Sequence, residues 1–296
     1  MVKHLENYGG LPMQHNANSV LQLSLNDLAE RVPNGSKVVL PPDYSFVPMA
    51  ATRAIITNKA RKLHLVAAPQ TGLQADLLIG AGCVSEIEAA AVSLGELGNA
   101  PRFTAAVNAG TLSVKDSTCP AIHASLQASE KGIPFIPLRG IIGSDLVANR
   151  PDWKTYNNPF QEKGLEDPII LLPPIRPDIA IFHSPFADNK GNVWIGRRRE
   201  LALMAHASKK TFVTVEKIRE IDLMESEETS ANALPSLYID SITVCRRGAW
   251  PLGLGHIYPP DNKHLKDYSK SAKTEEGFDD YLKKYVLMTK TIDEPN

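Results

Sequence analysis

The residue types best suited to chemistry lie in one segment, PFIPLRGIIGSD at 134–145. A buried strand is predicted to run there into a loop that carries Arg139, Gly143, Ser144 and Asp145. Loops at the carboxyl ends of parallel strands are where α/β proteins bind ligands. The glycines would let backbone N–H groups approach an anion or a thioester oxygen, and Arg139 could hold a carboxylate in a fork. A turn that begins a helix and carries a surface arginine is an equally good interpretation.

A second candidate is Cys119, which lies next to a predicted helix N-terminus, where the helix dipole stabilises a thiolate. His123 follows four residues later, so a nucleophile with a base is one interpretation. No third orienting group is evident, and the pattern favours a small buried thiol beside a packing histidine. His183, at the end of a predicted strand, is likewise more typical of a structural histidine than of a cleft residue.

Compact catalytic signatures are missing from the sequence. It contains no nucleophile elbow, no P-loop and no HExxH zinc motif. Gly80-Ala81-Gly82 follows a predicted strand, but the third glycine of a dinucleotide fingerprint is missing, which favours a plain tight turn. The three cysteines show no CxxC spacing, so the sequence predicts no metal site and no disulfide framework, only reduced thiols.

These residues must be positioned by an α/β fold, because short apolar runs alternate with helical stretches. The predicted strands are 37–40, 63–67, 76–80, 103–107, 133–137, 169–172, 179–183 and 212–215. The predicted helices are 25–32, capped by Ser24 or Asn26, and 49–58, 118–131, 200–208 and a last helix through 278–286; a hairpin-type turn is predicted at 188–192 with Gly191 at positive φ. The continuous apolar strands predict an open, largely parallel twisted sheet flanked by helices.

The domain organisation is expected to be simple. We expect one domain over 1–296, with a core at about 20–245 and a C-terminal arm and helix at about 246–296. Two irregular regions, at about 144–168 and 246–274, are too long for ordinary connectors, so we expect lids or arms that contact a partner.

Composition narrows the class of protein. The chain has 296 residues, of which 43% are hydrophobic, enough for a substantial core. Lys and Arg number 32 and Asp and Glu 33, with no long basic run, so neither nucleic acid nor an anionic membrane is expected as a partner. No apolar run approaches the roughly 20 residues of a membrane helix, and the first 16 residues lack the apolar segment of a signal peptide. We therefore expect a cytoplasmic protein.

Four ordered segments carry a resemblance to a known family. The segment LLPPIRPDIAIFHSPFADNKGNVWIG (171–196) and the segment KGIPFIPLRGIIGSDL (131–146) are the longest. FVTVEKI (212–218) and ADLLIGAG (75–82) complete the set. Together they resemble the alpha subunits of glutaconate CoA-transferases, which are family I CoA-transferases, and the likeness covers roughly residues 30–245.

The resemblance implies a fold, a partner and a reaction. The fold is that of CoA-transferases, related to the ribose-5-phosphate isomerase type, and the partner is a beta-type subunit of the same fold, usually in an α2β2 assembly. The substrate is a coenzyme A thioester, with no permanently bound cofactor. A glutamate carried by the beta-type partner attacks the acyl-CoA, and CoA then passes through a glutamyl thioester to an acceptor acid. Nothing here resembles the Glu-Asn-Gly type loop that carries this glutamate, so no catalytic residue is expected in this chain.

The loop at 41–50, PPDYSFVPMA, departs from the family pattern. Family members carry a glycine-rich sequence there, whereas a proline pair stiffens this loop and removes N–H donors. Asp43 and Ser45 add polar groups, which predicts a different acyl preference. The expected pocket residues are Asp43 and Ser45 near the acyl group, Gln70 and Gly72 in a strand-end loop, Asp116 and Cys119 facing the cleft, and Arg139, Gly143, Ser144 and Asp145 at the pocket or interface.

Two other functions remain open at this stage. A related group of hydrolases shares the fold and cleaves steroid-derived cyclic CoA thioesters, with a functional glutamate that aligns with Cys119. A cysteine does not simply replace a carboxylate base, which weakens this interpretation, although Asp116 lies near. The third possibility is a non-catalytic protein that binds CoA esters.

Overall fold

The computed structural model describes residues 20–288, so the N-terminal stretch tested for a signal peptide lies outside the described residues. The helices are α1 (Leu25–Glu30), α2 (Met49–Thr57), α3 (Leu73–Gly80), α4 (Pro101–Asn108), α5 (Cys119–Glu130), α6 (Asp145–Asn149), α7 (Arg199–Ala207), α8 (Glu227–Ser230), α9 (Asn262–Ser271) and α10 (Glu275–Leu282). Short 3₁₀ turns occur at Gly95–Leu97 and Ser236–Tyr238, and α10 continues into a π-helical turn at Lys283–Leu287.

The strands form one large sheet and three small ones. They are β1 (Leu21–Gln22), β2 (Lys37–Leu40), β3 (Leu63–Ala67), β4 (Gln70–Thr71), β5 (Val84–Ala89), β6 (Ala91–Val92), β7 (Ser113–Asp116), β8 (Ile136–Leu138), β9 (Lys154–Asn157), β10 (Pro168–Leu172), β11 (Ile179–Ser184), β12 (Ala187–Asp188), β13 (Val193–Trp194), β14 (Lys210–Val215), β15 (Ile218–Arg219), β16 (Ala233–Leu234) and β17 (Ser241–Val244). The large sheet has the order β1-β17-β14-β11-β2-β3-β5-β7, and its strand pairs are all parallel. The smaller sheets are β8-β10-β9, β15-β12-β13-β16 and β4-β6. The prediction of a largely parallel α/β sheet is confirmed.

Helices cover both faces of the large sheet, which explains why its strands read as continuous apolar runs. In β2, Val38 and Leu40 join one core cluster while Val39 joins the other. Helices α1, α2, α3 and α10 contribute to the first cluster, and α5 and α7 contribute to the second. Each fully buried Leu or Phe side chain stabilises the fold by roughly 1.5–3 kcal/mol.

Several local predictions are confirmed. Strands β2 and β3 have the predicted bounds, and Ser24 caps α1, since its hydroxyl accepts the N–H of Asp27 at 3.1 Å. The helix predicted at 49–58 is α2, which ends one residue earlier, at Thr57, with Asn58 as its C-cap. The turn at 188–192 joins β12 to the antiparallel β13, with Gly191 at φ 88°.

Two predicted strands, 76–80 and 103–107, are wrong, because these residues lie in helices α3 and α4. Helix α3 is buried on nearly every side, so its sequence shows no polar face and resembles a buried strand. The Gly80-Ala81-Gly82 turn therefore ends a helix instead of following a strand, which removes the dinucleotide-type interpretation. The strand predicted at 133–137 is β8, which begins only at Ile136.

The C-terminal helices complete the first core cluster. Tyr268 of α9 and Phe278 of α10 are buried there. The Tyr268 hydroxyl donates to the Asp76 carboxylate of α3 at 2.7 Å, and Phe278 packs where a side chain on Gly80 would otherwise stand. This end of the chain is therefore part of the packed body of the protein.

Candidate functional site

A cleft of about 600 Å³ lies where strands of the large sheet reach their carboxyl ends. Parallel strands bring all such ends to one edge, which is where α/β proteins bind ligands. The lining comes from the loop after β2, from β4, from the stretch between β6 and the 3₁₀ turn, from the residue before α7, and from α9 with the segment that precedes it. The lining residues are Asp43, Tyr44, Gln70, Thr71, Ala91, Ser93, Leu94, Gly95, Glu96, Arg198, Leu252, Gly253, Gly255, Pro260 and Leu265. The volume is in the range of small-molecule sites.

Asp43 is a half-buried acid in this cleft. Its carboxylate accepts the backbone N–H groups of Gly72 at 3.2 Å and Leu73 at 2.9 Å. Gly72 must lack a side chain, because a Cβ there would collide with the Asp43 carboxylate and the Ser93 carbonyl. Burial raises the pKa of Asp43 to about 6, although the two N–H groups oppose this shift.

Arg198, the residue just before α7, lines the cleft. The centre of its guanidinium lies 3.7 Å from the ring centroid of Phe46, a cation–π contact. Phe46 is buried and has φ 56°, a left-handed conformation that costs about 1–2 kcal/mol in a non-glycine residue. Its carbonyl accepts the His183 N–H at 2.6 Å, which helps to hold this conformation.

Ser45 is buried, does not line the cleft, and donates its hydroxyl to the Glu200 carboxylate of α7. Burial lowers the pKa of the nearby His123, and the negative charge of Glu200 partly offsets this effect. The charge that acts on the His123 side chain is therefore that of Glu200, and no side-chain hydrogen bond joins His123 to Cys119 within residues 20–288. The Ser45 prediction thus falls beside the cleft, in a cluster that joins the β2 loop to α7.

Glu216, at the end of β14, fixes the segment 246–261, here called the strap. Its carboxylate accepts His183 Nε2–H at 2.9 Å, the Tyr258 hydroxyl at 2.7 Å, and the N–H groups of Arg247 at 2.7 Å and Gly248 at 3.2 Å. Burial raises the pKa of Glu216, but the hydrogen bonds from His183 and Tyr258 outweigh it and leave the pKa below its usual value. Burial lowers the pKa of His183, which stays neutral and structural, as predicted.

The predicted pocket residues fall into separate places. Asp43 and Gln70 line the cleft. Gly72, between β4 and α3, donates its backbone N–H to the Asp43 carboxylate. Asp116 ends β7 at the same edge of the sheet but does not line this cleft; its carbonyl accepts Arg150 Nη1 at 3.0 Å. Cys119 is the exposed first residue of α5, so the expectation of a small buried thiol is wrong.

Arg139, Gly143 and Ser144 lie on the loop between β8 and α6, Asp145 is the first residue of α6, and none of the four lines the cleft. Arg139 is exposed and pairs with Asp167, whose carboxylate also accepts Asn158 Nδ2 at 2.6 Å. The Ser144 hydroxyl donates to the Ile141 carbonyl at 2.8 Å. A role for these residues in binding or at an interface stays a prediction.

Arg198, Thr71 and Glu96 were not found by sequence reasoning. The signals available were the Arg197-Arg198-Arg199 run after Gly196 and the position of Thr71 between two predicted residues. The irregular region predicted at 246–274 contains the strap, which forms one wall of the cleft. Only the fold shows that these distant segments meet.

Neither a metal-binding cluster nor a membrane-spanning helix occurs in the described part of the chain. Within residues 20–288, no cluster of three or more His, Cys, Asp or Glu side chains is arranged to hold a metal ion. Across the same residues, no helix is long and apolar enough to span a membrane.

Comparisons with known proteins give a consistent picture. The model of the family described as "Coenzyme A transferase" matches residues 23–244. The A-type chain of a 3-oxoadipate CoA-transferase from Pseudomonas knackmussii is 31% identical over 280 residues, covering 92% of this chain and 95% of the relative. One chain of a cholesterol ring-cleaving hydrolase from Rhodococcus jostii is 27% identical, covering 81% of this chain and 82% of the relative.

The third relative is similar in both sequence and structure. The A-type chain of glutaconate CoA-transferase from Acidaminococcus fermentans is 30% identical over 237 residues, covering 74% of this chain and 72% of the relative. The crystal structure of glutaconate coenzyme A-transferase from the same organism superposes with a TM-score of 0.82 at 27% identity, covering 91% of this chain and 89% of the matched chain.

Proposed function

This chain is a CoA-transferase subunit that belongs to the coenzyme A transferase family, and we propose that it builds the substrate cleft of a two-subunit enzyme whose catalytic glutamate lies on a separate beta-type chain. The relatives are themselves named as subunits, which supports a hetero-oligomer. The proposal includes an α2β2 assembly, a CoA thioester as substrate rather than as a resident cofactor, and a cytoplasmic location suited to few and scattered cysteines.

The observation that carries the division of labour is the state of the glutamates at the cleft edge of the sheet. The carboxylate of Glu216 is occupied by four donors, and Glu200 is bound by Ser45. Glu88, in β5, pairs with buried Arg150 at 2.7 Å. A nucleophilic carboxylate must approach a thioester carbon, and these three are held by their own fold.

Glu96 is the exception, because it lines the cleft in an exposed position on the 3₁₀ turn and makes no hydrogen bond within the described chain. Its exposure gives it no pre-organised geometry, whereas nucleophilic catalysis depends on a fixed approach. We therefore assign the nucleophile to the partner and treat Glu96 as the residue that tests this assignment.

The proposed reaction proceeds by covalent exchange. The partner's glutamate attacks the acyl carbon, the C–S bond breaks, and CoA leaves as a thiolate while an acyl-glutamyl anhydride forms. The thiolate attacks the glutamyl carbonyl of the anhydride, which releases the donor acid and leaves a glutamyl thioester. The acceptor carboxylate reverses these steps and takes the CoA. This chain would hold the acyl group and keep water from the anhydride.

The acyl class is proposed from the relatives. Two of them are named for 3-oxoadipate and glutaconate, and both of these acids carry two carboxyl groups. We propose a dicarboxylic acyl group for this enzyme as well.

The test is reconstitution from separately purified chains. We expect the isolated chain to transfer no CoA from acyl-CoA to acetate, and the mixture with its beta-type partner to do so. After incubation with acyl-CoA, mass spectrometry of the separated chains should find the CoA adduct on the partner only. Glu96→Gln should keep transfer and adduct formation. Transfer by this chain alone, or an adduct on Glu96, would refute the division of labour.

The same assay separates transfer from hydrolysis, which the similarity to a ring-cleaving hydrolase chain makes the second candidate. Hydrolysis would release free CoA from the assembled enzyme without an acceptor acid, at a rate that matches turnover. The transferase proposal expects turnover to depend on added acceptor.

A further inference from the structure

Arg198 differs from the buried Arg150 in what it binds. Arg150 pairs with Glu88 at 2.7 Å and Asp152 at 2.9 Å and also reaches the Asp116 carbonyl. Arg198 is half-buried, yet no acceptor within residues 20–288 bonds its guanidinium, and its Nε is shielded from solvent. A buried donor without a partner costs about 1–3 kcal/mol, so an unpaired guanidinium in a cleft requires an explanation.

The surroundings hold the Arg198 guanidinium in place without using its donors. Its flat face rests on the Phe46 ring, 3.7 Å from the ring centroid, and stacking leaves the in-plane N–H groups unused. On the strap, a Cβ on Gly255 would lie 3.5 Å from Arg198 Nη2. Glu200 of α7 acts on Arg198 through its negative charge, but its carboxylate is bound by the Ser45 hydroxyl.

A second unpartnered donor lies in the same cleft. Thr71 is 4% exposed and lines the cleft, and its hydroxyl has no hydrogen-bond partner among the described residues. A buried hydroxyl without a partner is uncommon in proteins. Leucine side chains at 94, 252 and 265 line the remaining wall and suit a methylene chain.

We propose that Arg198 and Thr71 form a carboxylate subsite that binds the end of the acyl chain remote from the thioester. The guanidinium fork matches a carboxylate, and the threonine hydroxyl supplies an additional donor. This inference rests on the proposed function, because it takes the cleft to be the acyl pocket. It makes Arg198 a residue that selects dicarboxylic over monocarboxylic acyl groups.

The two acids of the cleft do not cancel this charge. Asp43 directs its oxygens to the N–H groups of Gly72 and Leu73, which disperse its charge. Glu96 is exposed at the rim, where water and salt screen it. Among the described residues that line the cleft, Arg198 is the only lysine or arginine.

The test uses the assembled two-subunit enzyme and a matched pair of substrates, glutaryl-CoA and pentanoyl-CoA, with acetate as acceptor. Wild type should prefer glutaryl-CoA. Arg198→Met, which keeps length but removes charge and donors, should lower kcat/KM for glutaryl-CoA by about 10- to 100-fold and change pentanoyl-CoA by less than about 3-fold. Thr71→Val should act in the same direction with a smaller effect, and the matched control is Arg197→Met, the exposed neighbour that does not line the cleft.

An equal loss for both substrates would overturn the proposal, since it would place Arg198 at the CoA phosphates or in the fold, and so would no loss at all. Calorimetric titration of glutarate and pentanoate into the same complexes separates this failure from failure of the transferase assignment. Glutarate binding that depends on Arg198 in a complex without CoA transfer would support the subsite and refute the proposed function. Absence of Arg198-dependent glutarate binding would refute the subsite.

Discussion

Asp43 shows how single residues shape the cleft. Its carboxylate stands close to the backbone only because Gly72 has no side chain, so the N–H groups of Gly72 and Leu73 both reach it. Burial nevertheless outweighs these hydrogen bonds and raises the pKa of Asp43 to about 6. At neutral pH, where the Asp43 carboxyl is ionised, its burial therefore lowers the stability of the folded protein.

The sign of this cost gives a pH-dependent prediction. Because the pKa of Asp43 rises from 3.8 to about 6 on folding, its favourable contribution is fully present below pH 4 and is lost as the pH rises through 6. Between pH 4 and pH 7, we expect the free energy of unfolding of wild type to fall relative to Asp43→Asn by about 2 kcal/mol. Urea unfolding at a series of pH values measures the difference. Asp279→Asn, at an exposed position, should show none, and a flat wild-type minus Asp43→Asn curve would contradict desolvation of Asp43.

Among the structural elements, the strap matters most to the cleft, because one wall depends on its attachment to the end of β14. Glu216 gathers the Arg247 and Gly248 N–H groups and the Tyr258 hydroxyl at one carboxylate. Gly248 packs against the His183 ring so closely that no side chain fits there. The position of the strap is thus set by hydrogen bonds to the large sheet.

Removing one of these bonds should loosen the cleft wall. Tyr258→Phe loses the hydroxyl that donates to Glu216 and accepts the Ala249 N–H at 3.1 Å. We expect a loss of about 1–2 kcal/mol in stability, a higher KM for acyl-CoA, and faster hydrogen exchange at 246–261. Tyr238→Phe is the control, since the Tyr238 hydroxyl makes no hydrogen bond within residues 20–288. Exchange that rises evenly over the whole chain would point to a general destabilisation instead.

At the scale of the whole molecule, the two ends of the described chain share one core. Leu28 of α1 and Phe278 of α10 belong to the same cluster, and Asp76 of α3 binds both Tyr268 and the Phe103 N–H, each at 2.7 Å. A C-terminal region joined in this way should unfold together with the central sheet.

Phe278→Ala tests this cooperation. Removal of the ring leaves a cavity beside Gly80 and should lower the free energy of unfolding by about 3–5 kcal/mol. Hydrogen exchange should accelerate in β2 and β3 as well as in α10. Phe160→Ala, at a ring that is 93% exposed, should change neither measurement. Faster exchange confined to α9 and α10, with the global transition unmoved, would show an appended arm.

The sequence allowed the parallel sheet to be predicted, since β2, β3, β11 and β14 are continuous apolar runs. It misled at α3, which is buried all round and therefore lacks a helical polar face. It concealed β7, an edge strand whose residues are largely exposed and polar. The hydrophobic pattern of a segment reflects which of its sides are buried. A helix that is buried on every side therefore shows no helical period in its sequence.

Some residues of the candidate site could likewise be predicted from local sequence patterns, and others could not. Asp43, Gln70 and Gly72 follow strands directly, so their convergence at one edge could be predicted. Arg198 and the strap reach the cleft from far along the chain, and no local pattern reports such a meeting. Arg139 resembled a binding residue, but Asp167 now occupies it. The sequence shows that a residue is charged, but it does not show whether the fold pairs that residue with an opposite charge.

The pairing of β1 with β17 has a consequence for how the protein is made. Synthesis runs from the amino end, so β1 waits for its neighbouring strand until Ser241–Val244 has left the ribosome. The cluster that contains Leu28 waits longer still, for Phe278. During translation the nascent chain therefore exposes the apolar faces of α1, α2 and α3 until these later residues have been synthesised. Chaperones have their opportunity in that interval, before any partner chain can dock on a finished surface.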